Sequence, residues 1–157
     1  MKFSDFVCPE AIRADLKAAD KEGAIREMAQ ALLEAGKIIP ADFEGIVRAV
    51  LNREELGSTG IGRGVAVPHT KHPSVDRLVG TVAVSRSGVD FASLDGERVR
   101  LLFLLISPPD RPGDHLRALE SITRQLRDEK FCRALMEGAS AEAIKKLLDE
   151  SDNRRLT

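Results

Sequence analysis

The 157-residue chain has no tryptophan and no tyrosine, only two cysteines, and next to no net charge, with 24 Lys+Arg set against 25 Asp+Glu. Each scarcity removes a class of function. Six phenylalanines are the whole aromatic complement, which leaves few platforms for stacked bases, and a balanced charge gives no long-range field to gather DNA or anionic lipid. No nucleic-acid partner is expected. Long apolar runs are missing too: the longest, Leu101 to Ile106, has six residues, where a membrane span needs about 20. The N-terminal MKFSDFVCPE is too acidic and interrupted for a signal peptide. These features predict a cytoplasmic protein with no membrane insertion. Cys8 and Cys132 stand outside any CxxC or disulfide framework, and with 43% apolar residues the core needs no staple. Both are expected to be reduced and structural.

What is present suffices for one domain, since at this length folding buries roughly 70% of the unfolded chain's surface. Ile25, Met28, Ala29, Leu32 and Leu33 recur at helical spacing, with Asp20 as N-cap and Gly36 as stop. Phe43, Ile46, Val47, Val50 and Leu51 define a second helix, entered through Pro40 and Asp42, with Arg53 close to its C-terminal end. Between residues 64 and 106 the pattern turns to short β-branched runs, Val65–Val67, Val79–Ser85 and Val99–Ile106, which read as strands. LLFLLI lacks polar alternation and is predicted to be central and covered on both faces, while Ile12, Ala14 and Leu16 alternate and suit a more exposed strand. Asp114 is the candidate N-cap of a third helix carrying Leu116, Leu119, Ile122 and Leu126. Phe131 to Met136 form a short helix, and Ser140 caps a last one carrying Ile144, Leu147 and Leu148. This order predicts an α/β fold: a single domain over residues 1–150, built on a mixed central β-sheet of about five strands flanked by helices on both faces, then a polar tail, 151–157, without structure.

The least ordinary stretch is LNREELGSTGIGRGVAVPHTKHP, residues 51–73, which holds Gly57, Gly60, Gly62, Gly64 and two of the three histidines. Glycines there let backbone amides approach an anion or adopt positive φ; a tight helix-to-strand connection explains them equally well. A P-loop is excluded because Gly62-Arg63-Gly64 stands where Gly-Lys-Ser/Thr is needed. The dinucleotide fingerprint fails because residue 65 is valine and the loop precedes a strand instead of following one. His69 follows Val65-Ala66-Val67-Pro68 in a proline-braced loop, where functional side chains are often presented. Arg53 offers a rigid fork for phosphate oxygens, and His115 opens a helix whose first amides suit an anion. Together they describe a histidine among groups that stabilise a phosphoryl. His69-x-x-His72 with His115 or Cys132 lacks a spaced fourth ligand and is followed by Pro73, so no metal site and no cofactor are expected. Ser58 and Thr59 have no GxSxG elbow and are expected to bond the turn's backbone.

Arg53-Glu54, Gly57-Ser58-Thr59-Gly60-Ile61-Gly62, Gly64-Val65-Ala66-Val67-Pro68-His69 and Asp114-His115-Leu116 resemble the enzyme IIA component of the bacterial phosphotransferase system (PTS), fructose/mannitol type (EIIA type-2). Within it the chain is most similar to the nitrogen-regulatory, PtsN-like proteins. The resemblance runs from about Phe3 to Leu148. It implies a relay from phosphoenolpyruvate through an HPr-like or NPr-like phosphocarrier to His69 as phosphoryl acceptor, through Nε2, with Arg53 and His115 contacting the phosphoryl and Gly57, Ser58, Thr59, Gly60, Gly62 and Gly64 as the surrounding loop. Such a protein is a carrier working through a phosphohistidine intermediate, not a stand-alone turnover enzyme. Three roles follow from it: regulation of a target protein, expected because no transport domain is fused to the match; transfer to a separate IIB protein during fructose or mannitol-type sugar transport; or a binding module that takes no phosphoryl. The last is motivated by Thr70, which stands where the family usually has a smaller residue and would crowd the site or offer it a hydroxyl. Arg63 would add charge near the phosphoryl or remain a solvated loop residue.

Overall fold

The computed structural model describes residues 1–154. Helix α1 is Lys21–Glu34; the Asp20 carboxylate accepts from the Gly23 amide at 2.8 Å, and the chain leaves through Gly36 at φ 75°. Helix α2, Phe43–Glu55, follows a 3₁₀ turn at Pro40–Asp42. Helix α3, Pro112–Gln125, begins two residues before its expected cap, because Pro112 supplies a ready-made helical φ at the first position. Asp114 therefore falls inside the first turn, and its carboxylate pairs with Arg111 and Arg117 instead of capping. Helix α4 is Glu129–Met136, capped by Asp128, and α5 is Ala141–Arg154, where Ser140 Oγ accepts from the Ala143 amide at 3.1 Å.

The tail without structure, expected over residues 151–157, does not begin at residue 151. Residues 151–154 continue α5, with Ser151 and Asp152 buried. The Asp152 carboxylate accepts from the amides of Phe3 and Ser4, at 2.7 and 3.0 Å, and ties the helix to the N-terminal segment. Polar composition alone hid this, since the carboxylate is buried in the service of backbone donors. Residues 155–157 lie outside the described residues.

Five strands form one mixed sheet: β1 Gly60–Gly62, β2 Val65–Ala66, β3 His69–Lys71, β4 Val79–Val89 and β5 Val99–Ser107. β5 is central, parallel to β2 and β3 along one edge and antiparallel to β4 along the other. Leu102, Leu104 and Ile106 face the core shared with α1 and α2, whereas Leu101, Phe103 and Leu105 face the core shared with α3, α4 and α5. A strand buried on both faces needs no polar alternation, so LLFLLI sits as predicted. The segment carrying Ile12, Ala14 and Leu16 is an irregular edge beside β4: Arg13 bridges Ala83, but Ile12 joins one core and Leu16 the other. The Val65-Ala66-Val67-Pro68 run also breaks. Pro68 has no N–H for β5 and offers only its carbonyl, which accepts from the Leu105 amide at 3.1 Å, so pairing resumes in β3 with His69 itself.

Candidate functional site

His69 opens β3 opposite Leu105, so its side chain rises from the face covered by α3. Its Nδ1 lies 2.7 Å from the Val67 carbonyl. A carbonyl only accepts, so Nδ1 carries the proton and Nε2 keeps a free lone pair. The backbone explains why that carbonyl is available. Val67 directs its amide away from β5, to the Thr59 carbonyl at 3.2 Å, and its own carbonyl points the same way, past the end of β1. Burial holds the half-buried imidazole below its ordinary pKa; the Val67 carbonyl opposes this, and the Arg53 charge reinforces it.

His115 is buried in the first turn of α3, its ring centroid 5.5 Å from that of His69 and tilted by 55°. Its Nδ1 pairs with Ser107 Oγ at 2.6 Å, at the end of β5. Burial, then the neighbouring His69 and Lys71, push its pKa down to about 4. Because α3 starts at Pro112, the His115 amide is already spent on the Arg111 carbonyl, at 3.1 Å. What the helix contributes at this position is therefore an imidazole, not a free amide as the sequence suggested.

Arg53, in the last turn of α2, donates to the Gly57 carbonyl at 3.1 Å. With Ser58, Thr59, Val67, His69 and Leu119 it lines a depression of about 250 Å³. Beneath lies a support that sequence reasoning missed. Glu54, buried, accepts from the Thr59 amide at 3.1 and 3.3 Å and from the Thr59 hydroxyl, and pairs with Lys21 Nζ at 3.1 Å. Lys21 in turn lies 4.8 Å above the Phe91 ring. A glutamate at a helix end beside a glycine loop was the available signal; nothing local indicated that Lys21, at the start of α1, would meet it.

The glycine-rich loop divides between two places. Ser58 Oγ accepts from the Gly60 amide at 3.0 Å, and a Cβ on Gly60 would come within 2.3 Å of Ser93 Oγ, so a larger residue there would force Ser93 to move. Gly62, Arg63 and Gly64, all at positive φ, turn away toward α4, where Arg63 pairs with Glu129 at 2.6 Å. The structure thus joins Arg53, Ser58, Thr59 and His69 around one depression with His115 beside it, and leaves Gly62 and Gly64 outside. Thr70 is opposite Ile106, on the α1–α2 face of the sheet, and its hydroxyl donates to the Lys71 carbonyl at 3.3 Å. It neither crowds His69 nor offers it a hydroxyl. His72 Nδ1 pairs with Ser74 Oγ at 2.8 Å. Both thiols are free and buried, and burial raises their pKa values. No helix among the described residues is long and apolar enough to cross a membrane.

Comparison with known proteins addresses the chain as a whole. Residues 5–151 match the family described as phosphoenolpyruvate-dependent sugar phosphotransferase system, EIIA 2. A nitrogen regulatory protein of Bradyrhizobium diazoefficiens is 38% identical over 148 residues, covering 94% of this chain and 95% of that protein. The crystal structure of nitrogen regulatory protein IIA-Ntr from Neisseria meningitidis superposes with a TM-score of 0.82 at 29% identity, over 93% of this chain and 98% of that one. Enzyme IIA of the Escherichia coli mannitol system, solved in complex with phosphorylated enzyme IIB, superposes with a TM-score of 0.76 at 27% identity, over 92% and 97% of the two chains.

Proposed function

Because the chain belongs to the phosphotransferase-system EIIA type-2 family, we propose that it accepts a phosphoryl group on Nε2 of His69 from an HPr-like or NPr-like phosphocarrier and acts chiefly as a regulator. The observation that carries this reading is the bond from His69 Nδ1–H to the Val67 carbonyl, which leaves the free lone pair on Nε2. The depressed pKa keeps the ring neutral and nucleophilic at pH 7. Transfer breaks the P–N bond of a phosphohistidine on the carrier and forms a new P–N bond at Nε2. The proton on Nδ1 stays where it is, and the positive charge the ring acquires lies against the Val67 carbonyl. Arg53 supplies cationic donors for the equatorial oxygens, the main protein contribution to a loose phosphoryl-transfer transition state. His115, neutral at working pH, presents a ring nitrogen beside the acceptor.

Three exposed apolar side chains, Ile61, Leu116 and Leu56, lie on the elements that frame the depression and suit docking of a carrier. A phosphoryl adds roughly two negative charges there, enough to create or abolish a regulatory contact. The regulatory role is supported by the likeness to the Bradyrhizobium protein along nearly both lengths. The mannitol IIA–IIB complex favours a second reading, delivery to a separate IIB protein during sugar uptake. Incubation with phosphoenolpyruvate, enzyme I and HPr, followed by intact mass, tests the acceptor: one acid-labile phosphoryl is expected in the parent and none in His69→Ala. An unchanged parent mass would leave only a binding module. Rapid onward transfer to a purified IIB protein would decide for the transport role.

A further inference from the structure

A larger hollow, of about 500 Å³, lies between the β1–β2 turn, the start of β5 and α4, on the same face of the sheet. Its size falls within the range of small-molecule sites. Val65, Cys132 and Met136 contribute apolar surface, and Arg63, Arg100 and Arg133 converge from three elements, against the carboxylates of Glu129 and Glu137. Two backbone irregularities put the arginines there. The amides of Arg100 and Leu101 both donate to the Gly64 carbonyl, at 2.8 and 3.0 Å, so two successive residues of β5 share one acceptor in the β1–β2 turn. That bulge shifts the side-chain alternation: Val99 belongs to the α1–α2 core and Leu101 to the opposite one, which turns Arg100 toward α4. Arg63 holds a left-handed conformation, φ 58°, between two glycines at 93° and 81°, a placement that disfavours a side chain unless something holds it. It reaches Glu129 at 2.6 Å and the Leu126 carbonyl at 3.5 Å. Arg100 and Arg133 have no ion-pair partner among the described residues.

We propose that this hollow binds a small organic phosphate. The planar forks of Arg100 and Arg133 receive the dianion, Arg63 exchanges Glu129 for it, and the apolar body rests on Val65, Cys132 and Met136. Charge favours this occupant, because three guanidinium groups outnumber two carboxylates, one of which already answers Arg63. The apolar floor favours an organic phosphate over the bare ion. This site is additional to the phosphoryl-acceptor reading and does not rest on it.

The test titrates the ¹⁵N-labelled full chain with phenyl phosphate, and separately with inorganic phosphate, following amide shifts by NMR. Saturable shifts are expected at Arg63, Gly64, Arg100 and Cys132, unaltered in His69→Ala, with inorganic phosphate binding more weakly. The Arg100→Gln/Arg133→Gln variant should lose at least about tenfold in affinity. Both residues are exposed, so the variant should fold; if its melting temperature falls, Arg133→Gln alone serves, with the same direction of change. Any of four outcomes overturns the proposal: no saturation by about 10 mM phenyl phosphate, well short of millimolar affinity; shifts centred on Arg53 and His69; affinity indifferent to the arginines; or inorganic phosphate binding as tightly as the phenyl ester.

Discussion

The two hollows on the α3–α5 face stand at opposite ends of one short segment, Val65 to His69, yet they are built on opposite terms. Around His69 the polar groups are engaged: each imidazole has its Nδ1 paired, Arg53 is held by a carbonyl, and Thr59 is anchored on Glu54. What remains open is the second nitrogen of each imidazole and the rest of the Arg53 fork. In the arginine hollow two of three guanidinium groups lack an ion-pair partner among the described residues, and the third is held by a replaceable carboxylate. Under the two proposals made above, the difference is that between a site prepared for chemistry, which needs an atom fixed, and a site prepared for binding, which needs charge left unspent.

Substitutions can break that comparison at graded strength. His69→Ala should abolish phosphoryl uptake while melting temperature and phenyl phosphate binding stay unchanged, as mass spectrometry and calorimetry would show. Arg53→Ala should slow uptake by about 10²-fold, the usual loss for one donor to a developing oxyanion, measured by rapid quench. It should also move the acidic break of the rate profile upward, since the Arg53 charge is among the causes that lower the His69 pKa. A collapsed fold instead would make Arg53 a helix-end residue. Glu54→Ala removes the anchor of Thr59 and the partner of Lys21, which should cost about 3 kcal/mol and lower the melting temperature by about 10 °C. A melt within a degree of the parent would show that the network holds nothing.

The effect least visible at neutral pH is a slope. His115 takes its proton only near pH 4 in the native protein, whereas in the unfolded chain it does so near 6.5. The unfolded state therefore binds more protons between those values, so this residue's contribution is complete above about pH 6.5 and is lost as pH falls toward 4. His115→Gln should flatten stability against pH in that window, read by urea melts at successive pH values, and should reduce phosphoryl transfer more than it reduces the melting temperature at pH 7.

How far the sequence reached follows from the range of the forces involved. Helical periodicity and caps are local, so α1, with Asp20 and Gly36 at its ends, was legible almost to the residue. The unalternating LLFLLI declared its central place for the same reason. The misses depend on partners distant in the chain. β1 and β3 have three residues each and exist because β2 and β5 pair with them. Asp152 is buried by amides near the N-terminus, and Arg100 is turned by a bulge against Gly64. In the site, residue types announced Arg53, His69 and His115, while the orientation of Thr70 and the Lys21–Glu54–Thr59 support required the sheet register and the meeting of two helices.

The acceptor that fixes the His69 tautomer is a main-chain oxygen. No side-chain replacement at residue 67 can delete it, and the proline that follows restricts the conformation of that peptide. If His69 is the phosphoryl acceptor, as proposed above, the choice of reactive nitrogen is stored in the path of the chain, where point mutation cannot easily reach it. Descendants are free to vary the surface around His69 while passing on the same tautomer and the same free lone pair.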